Sequence, residues 1–289
     1  MKVGIVGQRG NHRAVSLVGD IAERLHELGV DVGVDESTHE EFQRGDVWHE
    51  DGVDRIAMPH CLPVEAFSEC DLAVSVGGDG TFLYTARGAG GTPIMGVNLG
   101  EVGFLNAVSP NEAVATIAAE VERIHETGEP RFREMARLRA ESEDWELPAA
   151  LNEVVVQGAQ RGHGNGVSVE VRVDGSLYTS GHADGVLVST TTGSTAYNLS
   201  EGGPLVHPSV EGLLVTEMCA EEEMPSLVVD TDATVTVRVD DAETAVAVSD
   251  GRMRETVAPP AEIHIERAAT PVRIAGPPLD FFTALGKLE

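Results

Sequence analysis

Over the first third of the chain, short apolar runs closed by glycine alternate with stretches whose apolar residues recur every three or four positions. Residues 3–6, 30–34, 72–76 and 93–98 are such runs, short and rich in Val and Ile, which predicts strands buried on both faces of a parallel sheet. Between the first two, Val15, Val18, Ile21, Ala22, Leu25 and Leu28 keep helical spacing over residues 14–28, and Gly29 ends the pattern. A strand, a helix and a strand in that order open an α/β sheet. Residues 36–55 are polar and acidic and read as a variable excursion. A helix is predicted over 82–87 with Thr81 as its cap. A second is predicted over 110–127 with Ser109 as cap and Gly128 as stop, its acidic positions forming a solvated face.

From about residue 131 the rhythm changes to short, β-branched, alternating segments at 138–141, 153–156, 167–173, 185–189, 233–239 and 245–249. Turn residues such as Asp174-Gly175 separate them. That pattern predicts a mostly antiparallel β domain made of packed sheets rather than a barrel. The last stretch carries Ile274, Leu279, Phe281, Phe282 and Leu285, too apolar for a free tail. The predicted division is an α/β domain over 1–108, a connecting helix over 109–130, a β domain over 131–268, and a segment over 269–289 that packs back on the first domain.

Composition narrows the setting. The net charge is −28, and of twenty basic residues only Lys2 and Lys287 are lysines. Acidic excess with almost no lysine is a surface suited to concentrated salt, where screening shortens the range of self-repulsion. It disfavours nucleic-acid and anionic-membrane partners, because no basic stripe is present to neutralise phosphates. Three cysteines without a C-x-x-C pair point to reduced thiols in a cytoplasmic setting. No secretory leader is expected after Met1-Lys2, and no apolar run approaches membrane-spanning length.

The chemistry gathers at three places. Gly77-Gly78-Asp79-Gly80 closes the third apolar run and precedes a helix, so free backbone N–H groups and the positive helix end face the turn, as in a phosphate cradle. Asp79 is the odd member, since a carboxylate repels phosphate unless it handles a proton, a hydroxyl or a metal. A second glycine-rich loop, 99–105, follows the next strand, and ligands of open α/β sheets collect at such strand ends. Asn152 and Glu153 stand together at a strand start; an amide can read an adenine edge and a carboxylate can accept from ribose hydroxyls. Finally, residues 184–200 run from Asp184 through a hydroxyl-rich turn to Tyr197 and Ser200. Small donors beside one aromatic ring suit a nucleotide. No G-x-S-x-G, P-loop lysine or H-E-x-x-H occurs. Among ten histidines, His163 and His182 stand out only by their neighbours.

Taken together, GGDGTFL (77–83), GVNLGEVGFL (96–105), LNEVVV (151–156), DGVLVSTTTGSTAYNLSEGGPLVHP (184–208) and SDGR (249–252) resemble the NAD kinase family. The long 184–208 segment is the most specific of these, because GGDG is shared with phosphofructokinases and lipid kinases. The resemblance implies an N-terminal Rossmann-like open parallel sheet, a C-terminal β-sandwich-like domain, and an active site between them completed by a second subunit of a homodimer or homotetramer. It implies phosphoryl transfer from ATP or inorganic polyphosphate, with Mg²⁺, to the 2′-hydroxyl of the adenosine ribose of NAD. By that match Asp79 is the proton acceptor and Gly80 sits against the dinucleotide. Asn152 and Glu153 hold adenine and ribose, and Asp184, Thr195, Ala196, Tyr197 and Ser200 line the site. His182 falls where many members have a basic residue; it, His163 and Arg252 complete the binding candidates. The alternatives within reach of the same motifs are a silent NAD(P)-binding regulatory paralogue and a GGDG kinase for another acceptor.

The chain departs from the family pattern at Thr191 (usually Pro), Asn198 (commonly Ser), Arg252 (frequently Gln) and the acidic Glu221–Glu223. The last removes basic groups from a place where phosphate or subunit contacts are expected.

Overall fold

A computed structural model of the chain describes residues 1–44, 58–100, 103–160, 166–221, 224–278 and 280–286. The chain divides into two compact units, Met1–Glu134 with Val272–Glu289, and Met135–Pro271.

The first unit begins with β1 (Lys2–Gly7), α1 (His12–Glu27), β2 (Asp31–Val34), α2 (Glu36–Arg44) and β3 (His60–Cys61). It continues with β4 (Leu72–Gly77), α3 (Asp79–Ala89), β5 (Ile94–Asn98), α4 (Ala113–Thr127) and β6 (Phe132–Met135). Late in the chain, the strand Val272–Ala275 lies between β5 and β6, pairing in parallel with β5 through Ile274 and Ile94. Strands β3, β2, β1, β4 and β5 follow in that spatial order, paired in parallel. The order reverses between β1 and β4, so the loops after Gly7 and Gly77 flank the point where doubly wound sheets bind ligands.

Local chemistry explains the helices. The Asn11 side chain caps α1 by accepting from Arg13 and Ala14 N–H, and Val15, Val18, Ile21 and Leu25 bury one face against the sheet. Within the stretch read as a variable excursion, to which the sequence pattern assigns no helix, α2 forms: Asp35 accepts from Ser37 and Thr38 N–H at its start, and only Thr38 and Phe42 are buried. Two buried positions one turn apart make too thin a stripe to read as a period. Residues 45–57 of the same stretch lie outside the described residues. Helix α3 begins at Asp79 with Gly78 as cap, earlier than the Thr81-capped start predicted: both Thr81 and Phe82 donate to the Gly78 carbonyl, at 2.9 and 3.2 Å. Ser109 bonds the Glu112 carboxylate at 2.7 Å rather than capping, and α4 starts at Ala113. Gly128, at φ +91°, stops it. One acidic position of α4 is not solvated: Glu120 is 1% exposed and takes the Arg131 guanidinium at 2.6 and 2.9 Å and the Arg131 N–H at 3.0 Å.

The second unit is antiparallel. Its strands are β7 (Leu138–Ser142), β8 (Trp145–Ala150), β9 (Glu153–Gly158), β10 (Val167–Val173), β11 (Ser176–Ala183) and β12 (Gly185–Thr190). After α5 (Tyr197–Ser200) come β13 (Leu213–Met218), β14 (Leu227–Val229), β15 (Val235–Asp240), β16 (Ala245–Ser249), β17 (Met253–Val257) and β18 (Ala261–Arg267). Among the described residues they form two six-stranded sheets, β11-β10-β15-β18-β7-β8 and β14-β13-β12-β9-β16-β17. Alternate residues of both, such as Val169, Val171, Val237 and Ile263 from one and Val154, Val156, Val186 and Val215 from the other, share one core. That is a sandwich. Asp174 (φ +49°) and Gly175 (φ +79°) close the β10–β11 hairpin in the left-handed conformation its tight turn needs. The sheet containing β9 and β12 is buried on its second face too, where Val155, Leu187 and Met218 pack with Tyr197.

The late strand Val272–Ala275, here β19, leads to α6 (Phe281–Leu285), capped by Asp280 through Phe282 and Thr283 N–H.

Candidate functional site

In the first unit the two glycine-rich loops act on one carboxylate. Asp79 Oδ1 accepts from Asn106 Nδ2 at 2.9 Å and from Leu105 N–H at 3.3 Å, and Oδ2 accepts from Phe104 N–H at 3.2 Å. Two glycines of the 96–105 motif make this possible. A Cβ on Gly103 would collide with the Asp79 carboxylate, and one on Gly96 would collide with the Asn106 side chain. Burial raises the Asp79 pKa, and the three donors oppose that rise. The result is a half-buried carboxylate, oriented by neutral donors and more basic than an ordinary Asp. Gly80 is exposed in the first turn of α3, with open space where a Cβ would stand.

In the second unit Asn152 and Glu153 open β9 and are 9% and 5% exposed. Their backbone is held by Asp250, whose carboxylate accepts from Leu151 N–H (2.9 Å), Asn152 N–H (2.8 Å) and Glu153 N–H (3.3 Å). The Glu153 carboxylate accepts from Tyr197 N–H, while Oε2 is buried without a hydrogen-bond partner. Burial, reinforced by the nearby Asp250 charge and opposed by the Tyr197 bond, pushes the Glu153 pKa up to about 7. A cavity of about 290 Å³ opens here, lined by Glu153, Gln157, Tyr197, Arg252 and Arg254 among others. Two arginines, an amide, an aromatic ring and an unsatisfied carboxyl oxygen can together bind a polar, anionic, ring-bearing ligand.

Of the sequence candidates, the second unit thus brings Glu153, Tyr197 and Arg252 together, with Asn152 adjacent. Thr195 ends a one-turn 3₁₀ segment after β12, Ala196 links it to α5, and Ser200 ends α5 exposed. Asp184 and His182 lie at the other end of β12: Gly185 pairs with Gln157, four residues from Glu153 along β9, roughly 13 Å at a strand's rise of about 3.3 Å per residue. The cavity reaches Gln157 at that end, but neither Asp184 nor His182 is among the residues that line it. His163 lies outside the described residues.

Asp250, Asn106, Gln157 and Arg254 were not singled out from the sequence. Asp250 sits in the quoted SDGR turn, the sequence signal that could have found it, and its backbone stands at φ +45°. Asn106 lies one residue beyond the 96–105 motif. At the family-atypical Asn198, the buried amide donates to the Ser194 and Pro204 carbonyls and accepts from Thr216 Oγ1 at 3.0 Å. The Asn198 amide is therefore held by a hydrogen-bond set that reaches Thr216 on β13.

A doubly wound sheet with a tethered carboxylate at its strand-order reversal, joined in one chain to a β-sandwich with a polar cavity, defines a class of two-unit nucleotide-handling protein. Residues 3–125 match the model of the ATP-NAD kinase N-terminal domain and residues 151–276 that of the ATP-NAD kinase C-terminal domain. The chain belongs to the NAD kinase family. It is 59% identical over 288 residues to the NAD kinase of Haloarcula marismortui and 54% over 290 residues to that of Halorubrum lacusprofundi, each alignment covering 100% of both chains. Among solved structures, it resembles an NAD kinase from Archaeoglobus fulgidus in complex with ATP, with a TM-score of 0.73 and 26% identity over 100% of this chain and 98% of that one. The fold is also that of the yeast NADH kinase complexed with NADH (TM-score 0.83, 23% identity, 100% of this chain and 87% of that one).

Proposed function

We propose that this chain makes NADP by moving the terminal phosphoryl group of ATP to the 2′-hydroxyl of the adenosine ribose of NAD. The observation that carries the reading is Asp79: a carboxylate at the sheet's switch point, made more basic by burial and aimed by three donors. A ribose hydroxyl is a poor nucleophile at neutral pH and gains from a positioned base. Asp79 takes the hydroxyl proton as the ribose oxygen bonds to phosphorus. The bond from that phosphorus to the bridging oxygen breaks, and ADP leaves with the electron pair. Such transfers rest on positioning and electrostatics more than on covalent help.

Asn152 and Glu153 hold the adenosine, Tyr197 supplies a ring, and Arg252 meets phosphate charge. Gly80, Thr195, Ala196, Ser200, Asp184, His182 and His163 complete the dinucleotide contacts in the same reading. Among the described residues no cluster of three or more His, Cys, Asp or Glu could hold a metal ion. Mg²⁺ is accordingly assigned to the ATP, as the salt of its triphosphate, in keeping with its preference for substrate phosphates and water. Polyphosphate is the alternative donor to ATP in this reading, and the protein is a cytoplasmic homo-oligomer adapted to salt. The −28 charge supports the last point, as does the origin of its relatives in halophilic archaea. No helix among the described residues is long and apolar enough to cross a membrane.

The test is NADP formation from NAD, ATP and Mg²⁺ in concentrated KCl, with polyphosphate as a parallel donor. Product appearing in step with ADP is expected. NAD binding without product from either donor would point to the silent regulatory paralogue, and absence of binding to another acceptor.

A further inference from the structure

The donors that orient Asp79 are themselves supported by the end of the chain. The loop after β5 is tied to that strand at its two ends: Asn98 N–H donates to the Val108 carbonyl at 2.9 Å, and Val108 N–H to the Gly96 carbonyl at 3.1 Å. Between those ties Leu105 and Asn106 are buried, at 2% and 0% exposure. Phe104 is the half-buried member of the trio. Its N–H faces Asp79 and its ring meets Phe281, with centroids 5.9 Å apart and planes at 56°. That tilted arrangement is one aromatic pairs favour, and it adds attraction beyond simple burial.

Phe281 is well placed to act as a fixed wall. It is 8% exposed, the first residue of α6, and its helix is closed by the Asp280 carboxylate. That group accepts from Phe282 N–H (3.0 Å), Thr283 N–H (3.2 Å) and Thr283 Oγ1 (2.7 Å). Upstream, β19 is locked into the sheet beside β5, the same strand from which the Phe104 loop departs. The neighbouring Phe282 touches the Phe281 ring at 5.8 Å but is itself 73% exposed.

We propose that Phe281 is a positioning residue for Asp79: through the Phe104 ring it holds the Phe104 N–H on the carboxylate and so sets the direction of that carboxylate. This inference rests on Asp79 being the base of the proposed reaction. Burial and the three donors account for the shift on Asp79, and no charged side chain among the described residues contributes to it. If Phe104 is freed, one donor is lost while burial stays, so the Asp79 carboxyl rises further. A base with a higher pKa is protonated over more of the pH range, and the acid limb of kcat moves to higher pH.

The experiment compares wild type, Phe281→Ala, Phe281→Leu, Phe282→Ala and Asp280→Ala by kcat against pH in concentrated KCl. In parallel, the Asp79 carboxyl is titrated by carbon-13 NMR in nucleotide-free protein, assigned with Asp79→Asn. Phe281→Ala is expected to lower neutral-pH kcat roughly three- to tenfold, the scale of one aromatic pair, with KM for NAD unchanged. Both the kinetic limb and the NMR midpoint should move up. Asp280→Ala, which loosens α6 without emptying the core, should shift both in the same direction. Phe281→Leu should recover most of the loss, and Phe282→Ala should behave as wild type. An NMR midpoint unmoved in both Phe281→Ala and Asp280→Ala overturns the proposal, whatever happens to kcat or melting temperature. A midpoint that moves in a protein whose wild type makes no NADP upholds the contact and refutes the kinase reading instead.

Discussion

Asp250 and Asn152, 98 residues apart in sequence, meet at 2.8 Å, the Asp250 carboxylate accepting the Asn152 backbone N–H. The same carboxylate takes the N–H groups on either side, and Asp250 N–H returns to the Glu153 carbonyl at 3.0 Å. One side chain thus satisfies three consecutive donors at the point where β9 begins. A strand start has no ladder partners of its own for those groups, and buried N–H groups left unpaired cost about 1–3 kcal/mol each. The negative charge used for this also stands near Glu153 and helps keep it protonated.

Replacing Asp250 with Ala should therefore loosen residues 151–153. The expected outcome is a rise of roughly tenfold or more in KM for NAD, the scale of one unmet buried donor, with a smaller change in kcat. Steady-state kinetics at fixed MgATP reads the two separately. A KM within twofold of wild type would show that the turn holds without its clamp.

For Asp79, the change to Asn retains the shape and removes the proposed base. Turnover should fall by about 10²- to 10⁴-fold, the usual contribution of a positioned general base, with the dissociation constant for NAD little changed by calorimetry. A variant as active as wild type removes Asp79 from the proton step.

Glu153 gives a pH signature of definite sign. Its folded pKa of about 7 lies above the ordinary value of 4.5, so the native state holds the proton more tightly than the unfolded chain. The stability linked to that proton is fully present below about pH 4.5 and is lost as pH rises through 7, a change on the order of 3 kcal/mol at most. Glu153→Gln should abolish this slope. The melting temperature of the variant minus that of wild type should climb between pH 5 and pH 8, in approximate terms set by those two pKa values. A flat difference would mean that Glu153 is ionised in the folded protein throughout that range.

With a net charge of −28, the folded chain repels itself at low ionic strength. The Debye length falls from about 10 Å at 0.1 M salt to about 3 Å at 1 M, so the thermal midpoint should rise steadily as KCl goes into the molar range. A midpoint that falls with KCl contradicts salt adaptation.

Much of the fold was legible because its periods are strong. The β1, β4 and β5 runs, the α1 stripe with its Gly29 stop, and the alternation of β10 and β16 are each carried by consecutive residues. Part of what escaped was weaker in pattern or non-local, although β13 and β18, apolar or alternating in themselves, were not predicted either. Two buried residues do not announce α2. Edge and pairing strands such as β11, β14 and β17 have few buried positions, so their strand character comes from partners rather than from their own alternation. Glu120 looked like surface because its partner, Arg131, lies beyond the helix end.

The site divides in the same way. Asp79, Asn152, Glu153 and Tyr197 could be named as candidates from the chain alone, since reactive residue types, glycine turns and their order along the sequence are properties of local chemistry. Their states could not. That Asp79 is gripped by the 104–106 backbone and the Asn106 amide, that burial pushes the Glu153 pKa up to about 7, and that Asp250, Gln157 and Arg254 stand around Glu153 all depend on distances between residues distant in sequence. Backbone donors carry no sequence signature, and burial is created only when sheets and loops close over a group. Sequence determined which groups this protein has to work with; tertiary structure decided how each is solvated, paired and charged.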